Sequence, residues 1–214
     1  MKDKFIKCHI CFVAPKLYPV LEGGRNIEAI GGAEVQQALI ARNLVRLGYK
    51  VSVVSYDYGQ PDEVEVGGIK IYKAYNNAKS MPVIRNVYPR LTSIYFAMKR
   101  ADADIYFQRC AGAYTGVVGA FTKINRRLFI YSGASDRDFI PSDLTVINLK
   151  RDRALFSFGL RQANAIVVQN KFQSLSCKQW YARDSVHIPN SYTVPADLSA
   201  NENGPVLWVG VMRK

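Results

Sequence analysis

Two adjacent glycines precede the first long helical segment of the sequence, in a position that suits phosphate binding. Gly31 and Gly32 come directly before Ala33 and Glu34, where apolar residues begin to recur at helical spacing. Glycine lets a backbone approach an anion closely, and the first turn of a helix offers free N–H groups and a partial positive charge. The pair therefore predicts a phosphate-binding loop. The alternative interpretation is a turn that only starts the helix.

Polar residues follow two later apolar runs. Gln108 and Arg109 follow one run, and Ser135 and Asp136 follow the next. In an open α/β sheet, ligands bind beyond the carboxyl ends of the strands. Arg109 is therefore a candidate partner for a phosphate or an acidic acceptor, and Ser135 and Asp136 are candidates for contact with an acceptor hydroxyl. Solvation of the arginine, and turn formation or helix capping by the other pair, are the alternatives.

The sequence lacks the residue patterns that a metal site or a nicotinamide-binding site requires. Cys8 and Cys11 lie inside a predicted strand, where residues three apart point to opposite faces, and no second Cys/His pair follows at zinc spacing. The place of a Gly-x-Gly-x-x-Gly fingerprint after the first strand is taken by residues 14–19. We expect no metal, no NAD-dependent oxidoreductase, and buried, reduced cysteines in a cytoplasmic protein. The two histidines, His9 and His187, are interpreted as structural.

Alternating strands and helices must position these side chains. Apolar runs predict strands, and apolar residues at helical spacing predict helices between them. Such alternation indicates an α/β fold with a doubly wound, mostly parallel, Rossmann-like sheet, because parallel strands need crossover helices. The strands are predicted at residues 7–14, 50–56, 68–74, 104–107, 127–131 and 165–169, and the helices at 33–47, 91–101, 114–124 and 148–163.

Composition restricts the class of partner. The 214-residue chain is 49% hydrophobic, enough to bury a core, and its 29 Lys and Arg against 17 Asp and Glu give a net charge of +12. That surplus attracts nucleic acid, anionic lipid or phosphorylated substrates. The charges are scattered along the chain, and neither an RNA-binding aromatic motif nor zinc-finger spacing is present. We therefore expect no nucleic-acid partner.

Several segments, taken in order, resemble the family 4 glycosyltransferases of the GT-B type. The resemblance extends over nearly the whole chain, which makes it more specific than any one segment. The segments are GGAE (31–34), ARNLVRLGYKVSVV (41–54), ADIYFQR (103–109), ANAIVVQN (163–170), IPN (188–190) and VLWVG (206–210).

The resemblance implies two Rossmann-like domains that face each other across a cleft. Residues 1–192 would form the acceptor-side domain, 193–205 a linker, and 206–214 the first strand of a donor-binding domain that this chain lacks. Gly31 and Gly32 would face the donor phosphates or the reaction centre. Transfer in this family usually retains anomeric configuration, with electrostatic stabilisation of the leaving diphosphate and no metal cofactor.

The expected function is transfer of a sugar from a nucleotide-sugar to a glycan, a lipid-linked acceptor or another hydroxyl acceptor, by a chain that is inactive alone. Two positions depart from the family. Gln108 and Arg109 stand where many relatives place a histidine, and Val211 stands where an arginine often follows the glycine, with Arg213 and Lys214 as substitutes. The alternative is a stand-alone, non-catalytic α/β module that binds a glycan or another partner, with 206–210 paired inside the sheet.

One mixed segment bears on localisation. Residues 83–100 combine large apolar side chains with Arg85, Arg90, Lys99 and Arg100. Such a segment predicts peripheral contact with an anionic membrane, where a lipid-linked acceptor would lie. A core helix with a basic, solvated outer face is the other interpretation.

Overall fold

The computed structural model describes residues 8–23, 31–75, 90–144 and 147–192, which form one α/β layer structure. The strands are β1 (His9–Val13), β2 (Lys50–Ser55), β3 (Glu63–Val66), β4 (Ile69–Lys73), β5 (Ile105–Arg109), β6 (Leu128–Ser132), β7 (Ala165–Val168) and β8 (Val186–His187). The helices are α1 (Tyr18–Glu22), α2 (Gly32–Arg46), α3 (Arg90–Ala101), α4 (Tyr114–Ile124), α5 (Lys150–Gln162) and α6 (Lys171–Tyr181), with 3-10 turns at Asp136–Phe139 and Pro141–Asp143.

The strands form one sheet in the order β3-β4-β2-β1-β5-β6-β7-β8. Every neighbouring pair is parallel except β3 and β4. This confirms the predicted doubly wound, mostly parallel, Rossmann-like sheet. The chain leaves β1 for β2 on one side and later crosses back to place β5 on the other side. The space beyond β1 and β5 is therefore the topological switch point, where ligands bind in sheets of this kind.

Apolar cores cover both faces of the sheet. On one face, α3, α4, α5 and α6 pack over strand residues that include Tyr106, Phe129 and Tyr131. On the other face, α1 and α2 pack over Phe12 and Val53. Both faces of the central strands are thus buried, which explains why these strands read as nearly continuous apolar runs.

Helix α2 carries side chains of the candidate site, and its own sequence determines where it lies. Ala38 and Ala41 are buried against the sheet, and their small side chains let the helix axis come close to it. The helix ends because Gly48 adopts a φ of 81°, a left-handed conformation that favours glycine. The Gly48 N–H then donates to the Val45 carbonyl at 2.8 Å.

Glycines also bring α4 and α5 into close contact. A Cβ atom on Gly159 would lie 2.1 Å from the Thr115 carbonyl oxygen, and one on Gly116 would lie 2.6 Å from the Leu155 carbonyl oxygen. Only glycine fits at these two positions, so the two helix backbones pack directly against each other. The larger side chains of both helices are therefore directed away from the contact.

The structure adds elements to those predicted and moves some ends by one or two residues. Helix α1 lies between the strand predicted at 7–14 and the helix predicted at 33–47, where no element was predicted, and β3, α6 and β8 were not predicted either. Helix α1 has only five residues, and β3 alternates exposed glutamates with half-buried valines. Neither offers a long apolar period. Helix α6 was not predicted because polar Gln173 and Ser176 occupy buried positions on it, which interrupts the apolar period.

Two groups of expectations fall outside the described residues or only partly inside them. The predicted linker at 193–205 and strand at 206–214 lie outside, as does the 83–89 part of the mixed segment. Its remainder forms α3, which buries Ile94, Ala97 and Met98. Within the described part of the chain, no helix has the length and apolar character needed to cross a membrane.

Candidate functional site

A cavity of about 180 Å³ lies at the switch point, beyond the carboxyl ends of β1, β2 and β5. The first turns of α2 and α4 border it. Its lining combines two cations, one carboxylate, one amide and two phenols with small residues: Ala14, Pro15, Lys16, Glu34, Gln37, Tyr56, Arg109, Cys110, Ala111 and Tyr114. This mixture of charged and polar groups in a concave site at a strand end is typical of a ligand-binding site in an α/β fold.

Arg109 is the buried cation of this cavity. It is the last residue of β5 and only 6% exposed, so it is not the solvated loop arginine considered as the alternative in the sequence. Its Nη2 donates to Asn190 Oδ1 at 2.9 Å, and its Nη1 donates to Ser132 Oγ at 3.3 Å. Burial lowers the pKa of the guanidinium. Among the described residues, no carboxylate forms an ion pair with it.

Three buried polar atoms at the site have no hydrogen-bond partner within the described structure. They are Arg109 Nε, Gln37 Oε1 and Gln108 Oε1. Gln37 Nε2 donates to the Ala33 carbonyl at 3.3 Å, and Gln108 Nε2 donates to the Arg109 and Cys110 carbonyls. Burying a polar atom without a partner is unfavourable, and such atoms are normally satisfied by water or a ligand. The unpaired atoms therefore mark a place where a polar ligand would be stabilised.

Cys110 stands next to Arg109 in an unusual backbone conformation. Its φ of 74° lies in the left-handed region that non-glycine residues rarely adopt. Strain of this kind is concentrated at functional sites. Burial raises the pKa of its thiol to about 12, so the side chain is a neutral thiol at physiological pH and not a nucleophilic thiolate. Burial also raises the pKa of Tyr114, which keeps that phenol a neutral hydrogen-bond donor.

The predicted glycine pair begins α2 next to this cavity. Gly31 is the N-cap, with extended backbone, and Gly32 is the first helical residue. A Cβ on Gly31 would lie 2.5 Å from Glu34 Oε2, whereas a Cβ on Gly32 would meet no atom within 4 Å. The backbone of Gly32 is thus open to an approaching ligand, and Glu34 and Gln37, one turn further on, line the cavity. The phosphate contact itself stays a prediction.

Ser135 and Asp136 lie after β6 but not on the cavity lining. Ser135 caps the 3-10 turn, and its Oγ accepts from the Arg137 N–H at 3.4 Å. Asp136 Oδ1 accepts from Asn170 Nδ2 at 3.0 Å and from Gln173 Nε2 at 2.9 Å. The Ser135 contact is of the capping type that was weighed as the alternative, whereas Asp136 links the 3-10 turn to side chains at the start of α6. Contact with an acceptor hydroxyl remains a prediction for both residues.

The segment after β8 joins the site through side chains that the sequence did not mark as functional. Asn190 accepts from Arg109 and donates through Nδ2 to Gln169 Oε1 at 2.8 Å. The Ser191 N–H donates to Gln36 Oε1 at 3.2 Å. The Pro-Asn turn at 188–190 was noted only as part of the resemblance, and Lys16, Glu34, Gln37, Cys110 and Tyr114 were not predicted as site residues. Their position directly after strands and at helix starts is the signal that could have found them.

No group of three or more His, Cys, Asp or Glu side chains suited to a metal ion occurs in the described part of the chain. Its cysteines are all free, and Cys11 and Cys177 are buried. His9 is also buried, with Nε2 2.8 Å from Ser52 Oγ.

Comparison with known proteins gives a fold relationship. No protein-family model matches the sequence, and no curated protein matches it either. Among solved structures, the chain is similar to one described as a UDP-N-acetylglucosamine 2-epimerase from Listeria monocytogenes, with a TM-score of 0.52 and 10% sequence identity. The match covers 79% of this chain and 41% of that one, so this chain spans less than half the length of its structural neighbour. At this identity the match supports the Rossmann-like fold alone.

Proposed function

We propose that this chain is the acceptor-side, GT-B-like domain of a glycosyltransferase that transfers a sugar from a nucleotide-sugar to a hydroxyl acceptor. The observation that carries the proposal is the burial of Arg109 at the switch-point cavity, with no carboxylate of the described residues ion-paired to it. An unpaired buried charge is unfavourable unless a ligand of opposite charge completes it. The diphosphate of a nucleotide-sugar supplies that charge.

The cavity residues divide into two roles. Arg109 and Lys16 provide positive charge for the leaving diphosphate, which is where negative charge develops as the glycosidic bond to phosphate breaks. The open N-terminus of α2 at Gly32 adds backbone N–H groups on the same side. The Glu34 carboxylate accepts a hydrogen bond from the acceptor hydroxyl, and Gln37 offers its unpaired oxygen to a second sugar hydroxyl.

Two further observations support this assignment. The cavity occupies the switch point, the usual ligand position in doubly wound sheets. The structural neighbour is described as an enzyme that acts on a nucleotide-sugar, UDP-N-acetylglucosamine, and this chain is similar to it in fold. The order of the segments that resemble family 4 glycosyltransferases favours glycosyl transfer over other reactions of nucleotide-sugars. Donor binding by this chain alone is expected to be weak, because most donor contacts in that family come from the second domain.

The proposal is tested by ligand-observed NMR with UDP, UDP-N-acetylglucosamine and inorganic pyrophosphate. We expect saturation transfer from the chain to the nucleotide ligands, competition by pyrophosphate, and loss of both in Arg109→Gln. Arg46→Gln is the matched control, since Arg46 is an exposed arginine at the far end of α2. Equal ligand signals in the two variants would contradict the proposal. Tight binding of a nucleotide-sugar would instead contradict the division of the donor site between two domains.

Sequencing the source gene past the codon for Lys214 separates the proposal from its alternative. An open frame that encodes a second βα series and paired glutamates supports a two-domain transferase. A stop codon, combined with glycan binding that is independent of Arg109, would favour the non-catalytic binding module.

A further inference from the structure

An apolar groove runs over the outer surface of helices α3, α4 and α5, on the face of the sheet opposite α1 and α2. It encloses about 350 Å³ and is lined mainly by Leu91, Tyr95, Phe96, Val117, Leu155 and Phe158. Two of its phenylalanines are largely in solvent: Phe96 is 61% exposed and Phe158 is 42% exposed. The groove runs beside the close glycine contact between α4 and α5, and Gly116 of that contact also lines it. Exposed apolar patches of this kind mark interaction surfaces.

The same three helices carry most of the basic surplus of the helical surface. Together they hold eight Lys and Arg residues and one acidic residue, Asp152, which is already paired with Arg90 and Arg151. Helices α1 and α2 on the other face hold two basic and two acidic residues. The eight basic residues are Arg90, Lys99, Arg100, Lys123, Lys150, Arg151, Arg153 and Arg161. Among the described helices, those under the apolar groove therefore carry a clear net positive charge, whereas α1 and α2 together are balanced.

We propose that the α3–α4–α5 face docks on an anionic lipid bilayer, with Phe96 and Phe158 entering the interface and the surrounding lysines and arginines contacting lipid headgroups. Aromatic side chains and a basic surround are the two signals that together hold a peripheral protein on such a surface. An anionic bilayer offers negative charge over its whole surface together with an apolar interior, whereas a protein partner would need an acidic rim around an apolar centre. The charge of the face thus selects a membrane as its occupant.

The groove and the switch-point cavity flank the same turn of α4. Tyr114 lines the cavity, and Gly116 and Val117, two and three residues further on, line the groove. A docked face brings the cavity close to the bilayer surface. If the proposed glycosyl transfer is correct, the acceptor is then a lipid-anchored hydroxyl compound. The docking itself does not depend on that function.

Vesicle sedimentation tests the docking directly, without any nucleotide. The probes are vesicles of phosphatidylcholine alone and of phosphatidylcholine with an equal part of phosphatidylglycerol, each at low and high salt. We expect sedimentation with the anionic vesicles at low salt, weaker binding at high salt, and little binding to phosphatidylcholine alone. The Phe96→Ser, Phe158→Ser double variant is expected to bind about tenfold more weakly, as is Lys123→Gln, Lys150→Gln.

The matched control is Phe172→Ser, Trp180→Ser on α6, which removes two aromatic side chains of similar exposure from another helix. This variant is expected to bind like the unmodified chain. Absence of sedimentation at low salt overturns the proposal, as does equal loss of binding in the control. A concentration-dependent dimer that the groove variant abolishes, seen by sedimentation velocity, overturns it in favour of self-association. The lysine variant changes only exposed side chains, so it keeps the test valid if the groove variant fails to fold.

Discussion

Arg109 and Asn190 are 81 residues apart in the sequence, yet the Arg109 guanidinium donates a 2.9 Å hydrogen bond to the Asn190 side-chain oxygen. Asn190 in turn donates to Gln169, whose Nε2 donates to the Gly133 carbonyl at 2.8 Å. This chain of contacts joins the carboxyl ends of β5, β6 and β7 to the segment that follows β8. Asn190 therefore holds the buried cation in place beside the cavity through a neutral side chain, which adds no negative charge to it.

Removing the Asn190 side chain tests that positioning. Asn190→Ala leaves the buried guanidinium without this acceptor, and we expect a loss of about 1 kcal/mol in the free energy of unfolding, measured by urea denaturation. Ser191→Ala is the matched control, because Ser191 contacts Gln36 through its backbone N–H and carbonyl, which the substitution keeps. A destabilisation of equal size in both variants would show that the effect belongs to the segment and not to the Arg109 contact.

The close packing of α4 on α5 predicts that one added methyl group lowers the stability of the fold substantially. Gly159→Ala places a Cβ against the Thr115 carbonyl, at 2.1 Å, where backbone must move to accept it. We expect a loss of about 1–3 kcal/mol in the free energy of unfolding, seen as a lower Tm in circular dichroism. Gly32→Ala is the control, since a Cβ there meets no atom within 4 Å, and its Tm is expected to stay equal or rise slightly. Equal Tm values for Gly159→Ala and the unmodified chain would contradict the close helix contact.

The environment of Cys110 predicts an inert thiol. Because burial raises the pKa of this thiol to about 12, very little of it is thiolate at neutral pH. Alkylation of Cys110 by iodoacetamide, followed by mass spectrometry, is expected to be slow in the native chain and fast in urea. Rapid native alkylation would show a reactive thiolate beside Arg109 and would add a nucleophile to the candidate site.

Buried His9 predicts a pH-dependent stability. Burial, with help from the charge of Lys50, lowers the pKa of His9 below 6.5, although Asp104 opposes the shift. The unfolded chain therefore binds a proton on His9 at a higher pH than the folded chain does. Stability is expected to be unaffected by this group above about pH 7 and to fall as the pH drops through 6.5 toward the lowered pKa.

Urea denaturation at several pH values between 5 and 8, compared with His9→Gln, measures this contribution. The variant is expected to lose the part of the slope that lies below pH 6.5. His187→Gln, at an exposed position, is the control and is expected to keep that slope. Parallel pH profiles for the unmodified chain and His9→Gln would show that His9 is not held neutral by its surroundings.

Much of the fold could be predicted, because helix and strand periods are local properties. Helix α4 was predicted with its observed ends, and β2 and α2 were predicted within one residue of theirs. The elements that were missed lack a local signal: α1 is too short, and α6 buries polar residues such as Gln173. Of the candidate site, Arg109 and the Gly31–Gly32 pair lie at or beside the cavity. Ser135 instead caps a 3-10 turn, and Asp136 contacts side chains of α6 and its N-cap.

The sequence by itself determined the α/β class and the parallel sheet, since apolar periodicity and the need for crossover helices are both readable along the chain. Only the tertiary structure decided that Arg109 is buried, that it contacts Asn190, and that helices α3, α4 and α5 lie together on one face with an apolar groove over them. Each of these depends on which strands become neighbours and which side of the sheet each helix covers. Such pairings join residues far apart in the sequence, where local propensity carries no information about contact.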